Sequence, residues 1–174
     1  MGLRQQNARN IARTHESSTC AGERKTAERG TRSLGRRHGD YQTTKEELIA
    51  FAKQWDPMIF HTDEDVAKTT PHGGLIAPGT YLLAIRIKLL HQGGVNRKIL
   101  ASAGFENVRF LKPSYVGEKL TLKVKLLEKR VSKSKPNYGL AKYNMELVNE
   151  LGTAVLSMID TVMIERDPSR RDDG

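Results

Sequence analysis

The spacing of the apolar residues changes once along the chain, close to Ile99. Before that point, Leu75 to Leu90 is apolar nearly all round, which predicts a long and mostly buried helix that ends at Gly93-Gly94. After it, apolar and polar residues alternate, as they do in strands with one face on a core and the other in water. Because helices come first and strands follow, the pattern predicts an α+β fold in which one long helix packs on an antiparallel sheet of about five strands.

Four segments after the change of spacing have the strand pattern. They are Ala101 to Leu111, Leu120 to Leu126, Ala141 to Leu147 and Thr153 to Ile164. A weaker strand or hairpin is predicted between Ser33 and Thr43, and a charged loop from Lys129 to Asn137. The last strand is apolar on both faces, so we expect a helix to cover one side and a second subunit to cover the other.

A capping box precedes the first predicted helix. Thr44 is followed three residues later by a glutamate, and the apolar residues behind it fall at helical spacings as far as Trp55. This predicts about three turns with one face on the core. Asp56 precedes Pro57, and a residue before proline favours an extended backbone, so Asp56 should close the helix.

Asp56 and His61 are five residues apart and should lie on one bent loop, with His61 just ahead of a short helix predicted from Thr62 to Lys68. A carboxylate and an imidazole in that arrangement can converge on one water molecule, as general acid/base catalysis requires. Each residue also has a structural interpretation, since Asp before Pro often only ends a helix and a single His at a helix start often only packs. The pairing favours the catalytic interpretation.

The length and charge distribution predict one domain with two charged tails. With 174 residues, we place the domain at residues 33–166, between a basic tail of residues 1–32 and a charged tail of residues 167–174. Much of the net charge of +9 comes from residues 1–40, which hold nine Lys or Arg and four Asp or Glu. The basic tail has few apolar residues and is expected to be disordered. It lacks interleaved aromatic residues for stacking on bases, so no nucleic-acid partner is expected.

The cysteine content and hydropathy bear on location. Cys20 is the only cysteine, so it can form neither an internal disulfide nor a cysteine metal cluster. No run approaches the roughly 20 apolar residues of a membrane span, and the first residues lack the apolar segment of a secretory signal. We therefore expect a cytoplasmic protein with no membrane partner, no metal and no bound cofactor.

Three stretches carry a resemblance to a known family. They are Thr44 to Ala52 followed by Asp56 and His61, Gly73 to Gly79 at the start of the long helix, and Phe105 to Gly117 in the sheet region. On these, residues from about 34 to 166 resemble the MaoC-like acyl dehydratases, the family of the R-specific enoyl-CoA hydratases, which have the hot-dog fold. The catalytic pattern of that family is an Asp, four intervening residues and a His. The resemblance therefore implies Asp56 and His61 as the catalytic pair.

The resemblance also implies a thioester-binding position and shows three departures. Hydration of an enoyl thioester develops an enolate oxygen, and Gly79 offers the first backbone N–H after Pro78 at a helix end with a favourable dipole. The alternative is that Gly79 only permits a tight turn. Met58 stands where the family usually has Asn, Ile59 stands where it has Pro, and Ile87 falls near the position of a supporting Ser or Thr.

The remaining histidines receive no predicted catalytic role. His72 is interpreted as structural, His91 as a C-terminal cap of the long helix, and His15 and His38 as parts of the basic N-terminal segment, residues 1–40, that continues the tail. The lysines of the strand region are interpreted mostly as solvated faces; some could meet coenzyme A phosphates, but the spacing does not select which.

The resemblance implies a hydro-lyase with an acyl-CoA thioester as substrate. It would add water to a 2-enoyl-CoA to give the (R)-3-hydroxyacyl-CoA, or run the reverse dehydration. Two alternatives remain open: a non-catalytic acyl-binding or structural subunit of a heteromer, which Met58, Ile59 and Ile87 favour, and a thioesterase on the same fold. Because hot-dog domains pair their sheets, a homodimer or higher homo-oligomer is expected.

Overall fold

The chain divides into two units between Arg32 and Ser33. The structure, a computed structural model, describes residues 36–94 and 98–166, all within the second unit. The two predicted tails, with His15, lie outside the described residues, and their disorder stays a prediction.

The described residues form a short first strand, four helices and then four long strands. In chain order these are β1 (Arg36–Gln42), α1 (Lys45–Trp55), α2 (Ile59–Thr62), α3 (Glu64–Thr69), α4 (Gly79–Gln92), β2 (Ile99–Phe110), β3 (Lys119–Val131), β4 (Tyr138–Val148) and β5 (Ala154–Glu165). The strands form one antiparallel sheet in the order β1-β3-β4-β5-β2. The predicted α+β arrangement, with one long helix and an antiparallel sheet of five strands, is confirmed.

The strand bounds match the predicted ones closely except at one end of β3. That strand continues to Val131, through residues predicted as loop, because Arg130 and Val131 still pair with Leu140 and Gly139 of β4. The loop between the two strands therefore begins at Ser132. The strand that was predicted to have two apolar faces, β5, lies inside the sheet between β4 and β2.

Helix α1 is bounded as the sequence predicts. The Thr44 hydroxyl accepts a hydrogen bond from the N–H of Glu47 at 3.2 Å, and the N–H of Asp56 donates to the carbonyl of Ala52 at 2.9 Å as the helix ends. Ala52 is fully buried, whereas Trp55 is mostly exposed. The core-facing side of α1 therefore ends one turn before Trp55, which the sequence had placed on it.

Helix α4 starts at Gly79, four residues later than its apolar pattern predicts. The segment before it is extended instead: Ile76 makes an antiparallel bridge with Tyr115, and Pro78 has φ −56° and ψ 144°. Proline disfavours a helical conformation at the residue before it, so the helix can begin only after Pro78. At the other end α4 stops at Gly93, as predicted.

Two short helices replace the single one predicted after the Asp56 loop. Helix α2 already contains His61, and α3 is capped by Asp63, whose carboxylate accepts the N–H groups of Asp65 and Val66 at 3.0 Å each. An N-cap of this kind marks the start of a helix, so Asp63 separates α2 from α3. Thr62 is therefore the last residue of α2 and not the cap of the next helix.

The core lies between α4 and the inner face of the sheet. Its most deeply buried side chains are Leu48, Leu82, Ile85, Leu89, Leu120, Leu122, Met145, Leu147, Leu156 and Met158. On β3, β4 and β5 most of these residues are two positions apart, as one face of a strand requires. One charged pair lies among them, since Arg86 of α4 and Asp160 of β5 are each only 2% exposed.

Strand β1 contains a buried histidine that the sequence interpretation had assigned to the tail. That assignment is wrong, because His38 pairs with Leu122 of β3 and its ring packs against Gly93 at the end of α4. A Cβ on Gly93 would lie 1.8 Å from Nδ1 of His38, so only glycine fits there. Burial, and secondarily the charge of Arg36, lowers the pKa of His38.

Burial along α4 predicts a large stability difference between two neighbouring apolar positions. Leu89 is fully buried and Ile87 is 43% exposed. We expect Leu89→Ala to lower the free energy of unfolding by about 2 to 5 kcal/mol, because it leaves a cavity in the core. Ile87→Ala, the matched control, should cost about 1 kcal/mol or less. Urea denaturation followed by circular dichroism measures both, and equal losses would contradict the packing described for α4.

Candidate active site

The candidate site begins where α1 ends. The N–H of Met58 donates to the carbonyl of Asp56 across Pro57 at 2.8 Å, and the N–H of His61 donates to the carbonyl of Met58 at 2.9 Å. These two bonds fold the loop back and bring the predicted pair together, with Nε2 of His61 3.8 Å from Oδ2 of Asp56. That distance is too long for a direct hydrogen bond, yet it allows both groups to hydrogen-bond the same water molecule.

A backbone carbonyl sets the tautomer of His61. Nδ1 of the ring lies 2.8 Å from the carbonyl oxygen of Ile76, and only a protonated ring nitrogen can donate to a carbonyl. Neutral His61 therefore carries its proton on Nδ1 and presents a lone pair on Nε2, the nitrogen closer to Asp56. Proton exchange with a ligand must take place at Nε2.

The two side chains of the pair differ in their exposure. The side chain of His61 is 8% exposed, whereas that of Asp56 is 37% exposed. The ring of Phe60 packs against His61 at 4.5 Å between centroids and against His72 at 5.2 Å. The imidazole is thus held in an apolar wall, while the carboxylate is reachable from solvent.

The start of α4 brings the third predicted residue to the site. The carbonyl of Pro78 accepts the N–H groups of Tyr81 and Leu82, so the N–H of Gly79 lies outside the helical ladder. The peptide dipoles of α4 make this end favourable for developing negative charge. The ring of Phe110 covers Gly79 closely, because a Cβ there would lie 2.6, 2.8 and 2.9 Å from three of its ring carbons.

One cavity joins these groups. Asp56, His61 and Gly79 all line a space of about 490 Å³, together with Phe110 and Lys112. Its volume is in the range of small-molecule sites, which are commonly about 300 to 1,000 Å³. The structure therefore places all three predicted site residues on one cavity.

The segment before α4 is fixed from both sides. The N–H of Ile76 donates to the carbonyl of Phe60 at 3.5 Å, next to the bond that its own carbonyl accepts from His61. On the other side, the N–H of Ala77 donates to the carbonyl of Ser114 at 2.8 Å. The loop that carries His61 and the loop that follows β2 are thus held against the same extended segment.

The residues that depart from the hydratase pattern lie at the edge of the site. The side chains of Met58 and Ile59 are about half exposed, and Ile87 is outside the lining of the cavity. The backbone bonds of the Asp56 loop form with these residues in place. The spacing of the acid/base pair therefore does not depend on the usual Asn and Pro.

Sequence reasoning did not place several of the lining residues at the cavity. His72, interpreted as structural, lines it, and so do Phe110 and Lys112 from the end of β2 and the loop beyond. Phe110 and Lys112 belong to a stretch that carried the family resemblance, but no local pattern shows that they face Gly79. Lys112 makes no ion pair within the described part of the chain.

Residues 36–94 and 98–166 contain neither a candidate metal site nor a candidate membrane-spanning helix. No group of three or more His, Cys, Asp or Glu side chains is placed to hold a metal ion. No helix in this part of the chain is both long enough and apolar enough to cross a membrane.

Sequence comparison identifies a known domain. The profile described as the MaoC like domain matches residues 31–148 of this chain. The uncharacterized protein YdeM of Bacillus subtilis (strain 168) is 28% identical over 126 residues, which cover 72% of this chain and 88% of YdeM.

Solved structures share the architecture. The MaoC-like dehydratase from Rhodospirillum rubrum is similar with a TM-score of 0.71 and 28% identity, covering 78% of this chain and 94% of its own. The (R)-hydratase from A. caviae, which is involved in PHA biosynthesis, is similar with a TM-score of 0.60 and 22% identity, covering 76% of this chain and 97% of its own. The long helix on its antiparallel sheet is the hot-dog fold.

The close contact between Gly79 and Phe110 generates a test of the site geometry. We expect Gly79→Ala to destabilise the protein by about 1 kcal/mol or less, because the added methyl group displaces the exposed ring of Phe110. Gly74→Ala is the matched control, since a Cβ there meets only Tyr115 at 3.7 Å, an ordinary contact. Thermal denaturation of both variants, and of Gly79→Ala combined with Phe110→Ala, gives the coupling between the two positions. Additive effects of Gly79→Ala and Phe110→Ala, with no coupling between the two positions, would contradict the described contact.

Proposed function

The chain belongs to the family of MaoC-like domains, and from this premise we propose that it is a hydro-lyase acting on acyl thioesters. The reaction is the addition of water to a 2-enoyl-CoA to form an (R)-3-hydroxyacyl-CoA, or the reverse dehydration. The observation that carries the proposal is that Asp56, His61 and the N–H end of α4 at Gly79 meet in one cavity. Hydration of a conjugated thioester needs those three functions together.

Each group has one task in the hydration step. The carboxylate of Asp56 accepts a proton from water as the water oxygen forms a bond to C3 of the enoyl group. His61, as the imidazolium held through Nδ1 by Ile76, donates the proton on Nε2 to C2. The N–H of Gly79 faces the negative charge that develops on the thioester oxygen. The substrate gains one OH and one H, and the proton on Asp56 returns to His61 to reset the pair.

The remaining lining suits a coenzyme A thioester. Lys112 is a cation without an ion pair in the described residues, so it is available to a phosphate of the carrier. The largely apolar wall, which includes Phe110 and Leu82, accepts an acyl group.

A second candidate function is that of a non-catalytic, acyl-binding member of the family. Ile87 favours it, because an apolar side chain cannot make the hydrogen bond of the supporting Ser or Thr. Met58 and Ile59 weigh less, since the loop they occupy still brings Asp56 to within 3.8 Å of His61. Turnover of an enoyl thioester separates the two candidates.

The acid/base pair predicts a specific pattern of kinetic losses. Asp56→Asn keeps the shape of the side chain but removes the base, and we expect kcat to fall by about 10²- to 10⁴-fold, with a similar loss for His61→Ala. Because both residues act in the same hydration step, and the proton on Asp56 returns to His61, the double variant should lose little more than either single variant. The measurement is loss of the conjugated-thioester absorbance on enoyl-CoA substrates of graded length, with binding followed by calorimetry.

One control variant and three possible outcomes complete this experiment. Asp63→Asn removes an exposed carboxylate that only caps α3, so activity should persist. Wild-type turnover by Asp56→Asn would refute the hydratase mechanism. Tight binding without any turnover by the wild type would identify a binding member, and release of free coenzyme A would identify a thioesterase.

We further propose that two copies of the chain associate through β2. Among the described strands it pairs only with β5 and forms one edge of the sheet, although it is 12 residues long and carries the exposed apolar side chains of Leu100 and Phe105. A long edge strand with unpaired backbone groups and apolar side chains is a template for pairing with another strand. The β2 strand of a second copy would pair with the free backbone groups and cover the apolar side chains.

The edge of β2 predicts a mass change in one variant. Wild-type protein should have the mass of a dimer or larger assembly in light scattering at micromolar concentration. Ala103→Pro should lower it toward that of one chain, because proline blocks pairing along the edge. Leu151→Lys, which alters an exposed residue in the turn between β4 and β5, should not change the mass. A monomeric wild type would contradict the proposal.

A further inference from the structure

Arg86 has hydrogen-bonding groups that the described structure does not use. Its Nη1 donates to Oδ2 of Asp160 at 2.8 Å, and the hydroxyl of Ser102 donates to the other carboxylate oxygen at 2.7 Å. Nε and Nη2 of Arg86 are buried and have no partner within the described residues. Buried donors of this kind are rare in folded proteins, and each one calls for an acceptor.

The two unused donors lie on one edge of the guanidinium. Nε–H and the adjacent Nη2–H point the same way in a rigid planar group, so they form a fork that two lone pairs can fill. The ring of Phe105 covers the flat face of the group, with Cζ of Arg86 4.8 Å from the ring centroid. The ring therefore takes up one face of the group, while the edge that carries Nε and Nη2 has no partner within the described residues.

The position of Arg86 relates this fork to the cavity. Leu82 lines the cavity, and Arg86 follows it one turn later on α4. Gly79 to Arg86 is seven residues, or about 10 Å at 1.5 Å per helical residue. On the facing strand, Phe110 pairs with Leu156 and Phe105 pairs with Asp160 of β5. The same helix and strand therefore run from the thioester position to the fork.

Charge decides which acceptor suits the fork. Arg86 and Asp160 already neutralise one another in the core. A second carboxylate would leave an uncompensated negative charge in a low-dielectric layer, which is strongly unfavourable. The oxygen of a carbonyl group has two lone pairs and no charge, so it can accept both N–H bonds.

We propose that the substrate carries an uncharged oxygen, such as a carbonyl, on the distal part of its acyl group, and that Nε and Nη2 of Arg86 bind it. This inference rests on the proposed acyl-thioester function and narrows its substrate class from alkyl to oxygenated acyl groups.

Binding of saturated thioesters tests the proposal separately from catalysis. Saturated acyl-CoA compounds cannot be hydrated, so calorimetry on them reports recognition alone. For chains of graded length, each oxo compound is compared with the unsubstituted chain of equal length. We expect the wild type to bind the best oxo compound about 10- to 100-fold more tightly than the unsubstituted acyl-CoA of equal length. Hydrogen bonds to a charged group produce differences in that range.

Two variants identify Arg86 as the source of that preference. Arg86→Lys keeps a cation beside Asp160 but removes the fork, so the preference for the oxo compound should fall to about onefold. Arg109→Lys, at an exposed position on β2, is the matched control and should keep it. If Arg86→Lys does not fold, Arg86→Met combined with Asp160→Leu removes both charges together and should give the same loss.

The outcomes are distinct. Equal affinity of the wild type for oxo and unsubstituted chains, or tighter binding of a matched carboxylate-ended chain, overturns the inference even if enoyl-CoA is hydrated. A clear oxo preference without hydration of any enoyl-CoA supports the inference and refutes the hydro-lyase function. Failure to bind any thioester refutes both.

Discussion

The hydrogen bond between Nδ1 of His61 and the carbonyl of Ile76 is the contact on which the candidate site depends. It joins the loop after α1 to the extended segment before α4, and it determines which ring nitrogen carries the proton. The ring N–H and the carbonyl are both buried. Breaking the bond between them would therefore leave two unpaired polar groups away from water. The acid/base pair is therefore oriented by backbone groups, and its geometry is compatible with Met58 and Ile59 in place of the residues usual in the family.

The start of α4 depends on a second constraint, the order of Pro78 and Gly79. Proline keeps the preceding residue extended, which allows the carbonyl of Ile76 to face His61 before the chain turns into the helix. Glycine then lets the ring of Phe110 approach the first helical residue more closely than any side chain would permit. The same two residues thus position the carbonyl that holds His61 and the free N–H of Gly79 at the start of α4.

Local signals made part of this structure predictable. The cap at Thr44, the helix end at Asp56 and the spacing to His61 depend on neighbouring residues, so the sequence alone shows them. The contact of Phe110 with Gly79 joins distant parts of the chain, and it exists only once β2 has paired with β5. The late start of α4 was missed for a different reason, since an apolar pattern continues through an extended segment that is buried as well as the helix is. Periodicity reports burial, and the backbone restriction from proline decides the conformation.

The sequence shows Arg86 only as an interruption in an apolar helix, yet the structure buries it completely against Asp160. Removing two charges from water opposes folding, and an apolar pair of similar volume would often stabilise a core at least as well. The unpaired Nε and Nη2 add to that cost, because buried donors lose their bonds to water. Stability of the fold therefore does not explain the guanidinium. Its place one turn beyond Leu82, on the helix that lines the cavity, is the reason to propose that the guanidinium recognises part of an acyl group.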